Sequence, residues 1–363
     1  MEYIFDEVLE IKNGKNQKTV ENPKGKYPIY GSGGIMGYAD NYICEADTVI
    51  IGRKGSINNP IYVSEPFWNV DTAFGLSAKR ECLLPRYLFY FCKKFNFEKL
   101  NKTVTVPSLT KSDLLKIKIE LPDISIQKKV VDRLSKIEAI IERRKQELLL
   151  LDELIKARFV ELFGDPVQNP YGWSTRPFLE MGYCKNGMNF HIGDNGVEMH
   201  CLGVGDFKDY AVIDGTNHLP IVSLNETPPE ESMLQDGDIV FVRSNGNKAL
   251  VGRCLVVYPH STPTTYSGFC IRYRLTSAEV DIIYLLYVLK TDSMRKKMEG
   301  RGANIQNLNQ QILATMDIPT PPMDLQKQFT DFVSKTAKSK VAVQKALDET
   351  QLLFDSLMQK YFG

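Results

Sequence analysis

The chain has 363 residues, 43% apolar and 25% charged, with 45 Lys and Arg against 44 Asp and Glu. At roughly 100 to 200 residues per domain, that length calls for about two or three units. The composition excludes collagen-like and disordered classes, and no run of about 18 apolar residues exists to span a bilayer. There are 26 bases against 22 acids up to Gly164 and 19 against 22 beyond it. A uniformly basic nucleic-acid binder is therefore excluded, and any attraction for DNA must come from local patches or partner subunits. The start, Met-Glu-Tyr-Ile-Phe-Asp, lacks the basic and apolar regions of a signal peptide, so a cytoplasmic location is expected. Cys44, Cys82, Cys92, Cys184, Cys201, Cys254 and Cys270 form no C-x-x-C pair and are odd in number, which favours small buried hydrophobes over zinc ligands or disulfides.

Residues 1–107 read as a first domain of short β-rich runs broken by Gly, Asn and Pro turns. Lys12-Asn13-Gly14 comes early in it. Tyr30-Gly31-Ser32-Gly33-Gly34-Ile35-Met36-Gly37 is glycine-dense, but Met36 stands where the third Gly of G-x-G-x-x-G belongs, so the segment reads as a flexible turn. Asp47 to Ile51 predicts a strand and Tyr87 to Lys94 a helix.

Residues 108–165 form a spacer segment. Pro122 stops the preceding strand, and Ser125 is placed to satisfy the first amides of a helix predicted from Ile126 to Leu162. Leu134, Ile137, Ile141, Leu148, Leu151, Ile155 and Leu162 recur at steps of three and four, skipping only Arg144 and Arg158; that stripe is a coiled-coil seam of about 55 Å. Gly164-Asp165-Pro166 supplies the stop.

Residues 166–306 repeat the first pattern, with Lys185-Asn186-Gly187, strands over Asp238 to Val242, Val251 to Tyr258 and Phe269 to Leu275, and a helix over Ile282 to Lys290. Residues 307–363 repeat the spacer. Pro319, Pro321 and Pro322 precede Asp324 at the helix start, and the seam runs through Val333, Val343, Leu347, Phe354, Leu357 and Tyr361, weakened by Thr336, Lys340 and Thr350.

Sliding the chain by 199 positions lays Ser108–Gly164 on Asn307–Gly363 without a gap. Leu109, Leu114, Ile119, Pro122, Gln127, Lys128, Asp132, Ser135, Lys136, Leu148, Leu154, Phe163 and Gly164 all meet identical residues. A shared heptad does not dictate matched Pro, Gln and terminal Phe-Gly, so the chain is read as an internal duplication. The upstream matches are looser: Phe5 over Phe178, Asp47–Ile51 over Asp238–Val242 with Gly55 over Gly246, and Tyr87–Tyr90 over Tyr284–Tyr287. A lone amphipathic helix this long needs a partner stripe, and a whole domain returns the chain between the two copies, so antiparallel pairing is expected. The predicted seam contacts are Leu134, Ile141, Leu148, Ile155 and Leu162 with Val343, Leu347, Phe354 and Leu357. The fold class is α+β: two irregular β-rich domains separated by two long helices paired as an antiparallel coiled coil, with a pseudo-twofold repeat.

The sequence offers no catalytic motif. G-x-S-x-G, G-x-x-x-x-G-K-[ST] and H-E-x-x-H are absent, and His191, His200, His218 and His260 have no ligand spacing. An amino-methyltransferase would need Asn/Asp-Pro-Pro-aromatic; Asn59-Pro60-Ile61-Tyr62 comes nearest and lacks the second Pro.

The twin Pro-x4-Gln-Lys openings (Pro122 to Lys128, Pro321 to Lys327), the twin helices ending in Phe-Gly and the alternation with two divergent domains resemble the DNA-specificity subunits of type I restriction-modification systems. Lys26–Gly34 and Gly172-Trp173 are similar to pieces of that family's target-recognition domains, although no counterpart of Trp173 precedes the first domain. The resemblance covers essentially the whole chain. It implies a non-catalytic subunit in which each β-rich domain reads one half of a split target on double-stranded DNA. The helices would space the halves and hold two methyltransferase subunits. No cofactor is implied for this chain; S-adenosylmethionine, ATP and Mg belong to the methyltransferase and motor-nuclease partners.

Phosphate contacts come from Lys and Arg, and base edges are read by Arg, Lys, Asn and Gln. The candidates beside Gly turns are Lys15, Asn16 and Lys18; Arg53, Lys54, Asn58 and Asn59; Asn186; Arg243, Asn245, Asn247 and Lys248; and Arg301, Asn304 and Gln306. Two other classes fit the same residues. One is a specificity subunit of a related methyltransferase-nuclease system of another type. The other is a coiled-coil scaffold without DNA binding, which salt-sensitive binding to DNA beside a methyltransferase partner would exclude.

Overall fold

The computed structural model describes residues 1–101, 108–190, 195–207, 211–298 and 307–363. The fold is mixed α and β, in two compact units, Met1–Glu147 with Ala342–Gly363, and Leu148–Val341. Each unit therefore holds one β-rich region, the beginning of one long helix and the end of the other.

The first unit contains β1 (Glu2–Ile4), β2 (Leu9–Asn13), β3 (Tyr27–Gly31), β4 (Gly34–Ala39), β5 (Thr48–Gly52), β6 (Ile61–Val63), β7 (Trp68–Asn69), β8 (Ala73–Ala78) and β9 (Lys118–Glu120). A four-stranded sheet runs β2-β8-β5-β6, a three-stranded one β4-β3-β7, and β1 pairs with β9. All five residues of β5 are buried because both sides of the larger sheet are covered. Its side chains alternate. Val49 and Ile51 pack with Phe5, Tyr87 and Leu88 on the helical side, whereas Ile50 packs with Cys44 and Phe67 toward the smaller sheet. The glycine-dense segment is a hairpin, with Ser32-Gly33 joining β3 to β4 and Gly34 at φ +118°, a conformation that a Cβ would strain.

The second unit repeats this layering with β10 (Thr175–Pro177), β11 (Gly182–Asn186), β12 (Val197–Leu202), β13 (Val212–Asp214), β14 (Ile221–Leu224), β15 (Asp238–Val242), β16 (Cys254–Tyr258), β17 (Thr264–Tyr266), β18 (Cys270–Leu275) and β19 (Asp317–Pro319). The larger sheet is β11-β18-β15-β16-β13, the smaller β14-β12-β17, and β10 pairs with β19. In both small sheets the middle strand has one antiparallel and one parallel neighbour. The duplication thus extends through the divergent regions.

One sequence register is corrected. β5 and β15 superpose at a shift of 190, Thr48 on Asp238, because Ile239 and Phe241 share the helical face of the second core as Val49 and Ile51 do in the first. The shift of 191 read from the sequence would turn each side chain to the opposite face.

Short helices Pro85–Lys94 and Ile282–Lys290 cover the larger sheets. The long helices are Ile124–Phe163 and Met323–Phe362, 40 residues each, or about 60 Å. They begin before the predicted start. Gln127 N–H bonds to Asp123 O and Gln326 N–H to Pro322 O, so Ser125 and Asp324 lie inside the first turn rather than capping it.

The repeated Gln has a structural cause. Gln127 and Gln326 are fully buried. Gln127 Oε1 accepts from Leu84 N–H at 2.9 Å, and its Nε2 donates to Cys82 O and Pro122 O, each at 2.9 Å. Gln326 does the same with Asp281 N–H at 2.8 Å, Glu279 O at 3.0 Å and Pro321 O at 2.8 Å. One side chain therefore ties the start of a long helix to the start of the short helix beside it.

The matched Phe-Gly closes the other side of each unit. In the second unit Phe163 is buried, its ring 4.7 Å from Tyr284 and 5.7 Å from Phe329. In the first unit Phe362 lies 4.9 Å from Tyr87, the counterpart of Tyr284.

The long helices run antiparallel within each unit. In the first, Arg133 Nη1 donates to the Tyr361 hydroxyl at 2.6 Å, while Leu134, Ile137 and Ile141 share a core with Phe354 and Met358. In the second, Lys340 Nζ lies 2.6 Å from Asp152 Oδ1, and Phe159 packs on Phe329. Of the remaining predicted seam residues, Leu347 and Leu357 pack at the edge of the first core, and Ile155 and Leu162 belong to the second. Leu148 and Val343 are half-buried and outside both cores.

Candidate nucleic-acid interface

Antiparallel pairing brings the ends of two strands together. β2 finishes with Asn13 opposite Phe74, and β5 finishes with Gly52 opposite Ala73, so the loops after both strands emerge beside the start of β8. Main-chain bonds close the cluster: Gly14 N–H to Ala73 O at 3.2 Å, Lys15 N–H to Asn69 O at 2.8 Å and Arg53 N–H to Thr72 O at 2.8 Å.

The second unit builds the same end. Gly187 N–H bonds to Cys270 O at 3.1 Å, Met188 N–H to Tyr266 O at 3.0 Å and Arg243 N–H to Phe269 O at 2.8 Å. The repeated Lys-Asn-Gly follows from this approach. A Cβ would sit 1.7 Å from Val70 O at Gly14 and 2.0 Å from Ser267 O at Gly187, where only glycine fits.

Arg53 and Arg243 occupy equivalent places in these ends. The carbonyl of each accepts at 2.9 Å from the first matched leucine of its spacer segment, Leu109 N–H and Leu308 N–H respectively. The Arg53 guanidinium is exposed and lies 5.8 Å from the Phe74 ring centre. Arg243 is half-buried and its Nη1 donates to Gly268 O at 3.3 Å, beside a Phe269 that is 60% exposed. Lys15, Lys18, Lys54 and Lys248 are exposed in the same loops.

The amide candidates divide. Asn16 Oδ1 accepts from Lys18 N–H, Asn245 Oδ1 from Asn247 N–H and Asn247 Oδ1 from Ala249 N–H. These bonds shape the loops through the side-chain oxygens. Asn58 is committed to structure, with Oδ1 accepting from Phe97 N–H at 2.8 Å and Nδ2 donating to Asn96 Oδ1 at 3.1 Å, at the turn after the short helix. Asn59 and Asn186 are exposed. Arg301, Asn304 and Gln306 lie outside the described residues.

A difference between the units was not read from the sequence. Gly75 of β8 corresponds to Arg272 of β18, both lying between the two sheets. A Cβ at Gly75 would meet Cys44 Sγ at 2.6 Å. Arg272 is fully buried there, donating through Nη2 to Glu231 O at 2.9 Å with its guanidinium 4.9 Å from the Tyr183 ring. A buried Arg in a β run is legible only once the strand's facing is known.

Among the described residues no group of three or more His, Cys, Asp or Glu could hold a metal, and no helix is long and apolar enough to cross a membrane. Five of the seven cysteines are buried, Cys82 and Cys184 being partly exposed. Burial pushes the thiols of Cys201 and Cys270 up to about 12, far from nucleophilic behaviour.

The profile of the type I restriction modification DNA specificity domain matches residues 2–150 and 208–350. Over 332 residues the chain is 22% identical to the type I restriction enzyme StySPI specificity subunit of Salmonella potsdam, covering 85% of this chain and 70% of that one. Its fold is similar to the crystal structure of a type I restriction-modification system S subunit from M. genitalium, with TM-score 0.62 and 16% identity over 100% of this chain and 96% of that one. A structure reported for complex assembly and conformational transition of the type I R-M system gives TM-score 0.62 and 16% identity over 100% and 97%. With both halves of the duplication matched by one profile, the chain belongs to the family of type I restriction-modification DNA specificity subunits, non-catalytic chains whose general role is recognition of a DNA target.

Proposed function

We propose that the chain reads a bipartite DNA target, residues 1–107 contacting one half and residues 166–306 the other, while the spacer segments 108–165 and 307–363 set the gap. The observation that carries this reading is the equivalence of Arg53 and Arg243. Each follows the central strand of its larger sheet, and each is bonded to the first matched residue of a spacer. A recognition loop so anchored takes its position from the helices rather than from its own flexibility. Lys15, Asn16, Lys18, Lys54 and Asn59 would surround Arg53. Asn186, Asn245, Asn247 and Lys248 would surround Arg243, with Arg301, Asn304 and Gln306 retained as candidates.

Two methyltransferase subunits, joined by motor-nuclease subunits, are the partners this reading assigns to the long helices. Leu149, Leu150 and Leu154 of the second unit and Leu352 and Leu353 of the first are about half or more exposed on those helices, and exposed apolar patches of this kind mark protein contacts. Near-neutral net charge fits a chain that clamps DNA jointly with such partners.

Arg53→Ala and Arg243→Ala should each relax base choice in one half-site by about 1 to 3 kcal/mol. Lys248→Ala should instead weaken all sequences alike and reduce the salt slope by about 1. Titrations of the assembled methyltransferase on half-site variants at several salt concentrations read both effects. Unchanged affinity and specificity in all three variants would remove these loops from the interface.

A further inference from the structure

The two units differ where the short helix ends against the long helices. In the first unit the Glu138 carboxylate is held from two sides: the Tyr90 hydroxyl donates to Oε2 at 2.6 Å, and Lys93 Nζ lies 2.7 Å from Oε1. The counterparts in the second unit are Tyr287, Lys290 and, at the position of Glu138, Ala337. The two donors are retained and the acid is deleted.

Other changes accentuate the loss. Asp355 beside the first site corresponds to Lys156 beside the second. Tyr287 and Lys290 line a cleft of about 590 Å³ together with Lys156, Arg253, Phe159 and Asp292, within the usual size range of small-ligand sites. Among the described residues neither the Tyr287 hydroxyl nor the Lys290 ammonium has a hydrogen-bond or ion-pair partner. Asp152, whose charge also acts on Lys290, is paired with Lys340 at 2.6 Å. Asp165 lines the cleft, but its Oδ1 accepts from the amides of Val167 and Gln168 at 2.9 and 3.0 Å. Burial holds the Lys290 ammonium below the ordinary lysine range, as expected of a partly desolvated cation.

We propose that this cleft binds an external oxyanion, the phosphate or carboxylate group of a small ligand, with the Tyr287 hydroxyl and the Lys290 ammonium as donors, as their counterparts Tyr90 and Lys93 hold the Glu138 carboxylate in the first unit. Charge-assisted hydrogen bonds of this kind are about twice as strong as neutral ones. Val160, exposed on the long helix, supplies an apolar wall for the rest of the ligand. The site is formed by residues of the second unit alone, and Ala249, beside Asn247 and Lys248 of the DNA-assigned loop, lies on its edge.

The test is calorimetric titration of the full chain at low ionic strength with inorganic phosphate and, separately, with acetate. At least one should bind with a Kd below about 1 mM, and the tighter of the two identifies the class. Lys290→Met and Tyr287→Phe should each weaken binding about tenfold or more, whereas Lys93→Met should leave it unchanged. Absence of binding for both anions at about ten times that concentration, or binding that survives both Lys290→Met and Tyr287→Phe, overturns the proposal.

Discussion

Gln326→Leu is expected to destabilise the second unit by about 3 to 5 kcal/mol, because each buried polar group left without a partner costs about 1 to 3 kcal/mol. The substitution nearly preserves volume but removes the acceptor of Asp281 N–H and the donor to Glu279 O and Pro321 O at once. Gln326→Glu should be no better, since it sets an oxygen against those two carbonyls. Gln127→Leu should behave likewise in the first unit, where Leu84 N–H, Cys82 O and Pro122 O lose their partner. Urea unfolding followed by circular dichroism measures the loss as a lower midpoint. A cost under about 1 kcal/mol for both Leu variants would reduce the matched Gln to a surface-like contact.

Phe163→Ala should cost about 3 to 5 kcal/mol, the range for deleting a buried aromatic ring. Its ring sits among Phe159, Tyr284 and Phe329 in the second core. Phe362→Ala should cost less, about 1 to 2 kcal/mol, because Phe362 is only half-buried against Tyr87 and Phe91. Thermal unfolding of the two variants checks the order, and equal losses would contradict the different burial of the two ends.

The frame of the molecule was legible where identical residues recur for a reason that sequence displays. Pro, Gln and Phe-Gly at a constant shift of 199 gave the duplication, and Lys-Asn-Gly marked the equivalent strand ends in both β-rich regions. The helix starts were misplaced because Ser125 and Asp324 carry capping side chains yet sit in the first turn, the turn itself being closed on Asp123 O and Pro322 O. The seam was legible as a stripe but not as a set of contacts. Met358 and Phe159, which help fill the two cores, lie beside the positions that the heptad selects, and Phe329 lies one step ahead of Val333. The one-residue slip between β5 and β15 arose because Asp47 and Asp238 look alike, whereas strand facing decides the register. Among candidate residues, sequence proximity to a glycine turn selected Arg53 and Arg243, which sit at equivalent strand ends, but it also gathered Asn58, whose side chain is consumed by the turn at Phe97. Ala337 carries no signal until its counterpart Glu138 is seen holding Tyr90 and Lys93.

The most direct measurement of the central claim is genome-wide mapping of methylated adenine, by single-molecule sequencing, in cells carrying this chain with its methyltransferase partner. The map should be repeated after residues 1–107 are exchanged for the corresponding segment of a family member with a different target. Modular reading predicts that one half of the bipartite motif changes to the donor's while the other half and the gap persist. Simultaneous change of both halves in an active, folded chimera, or no change in either, would contradict it.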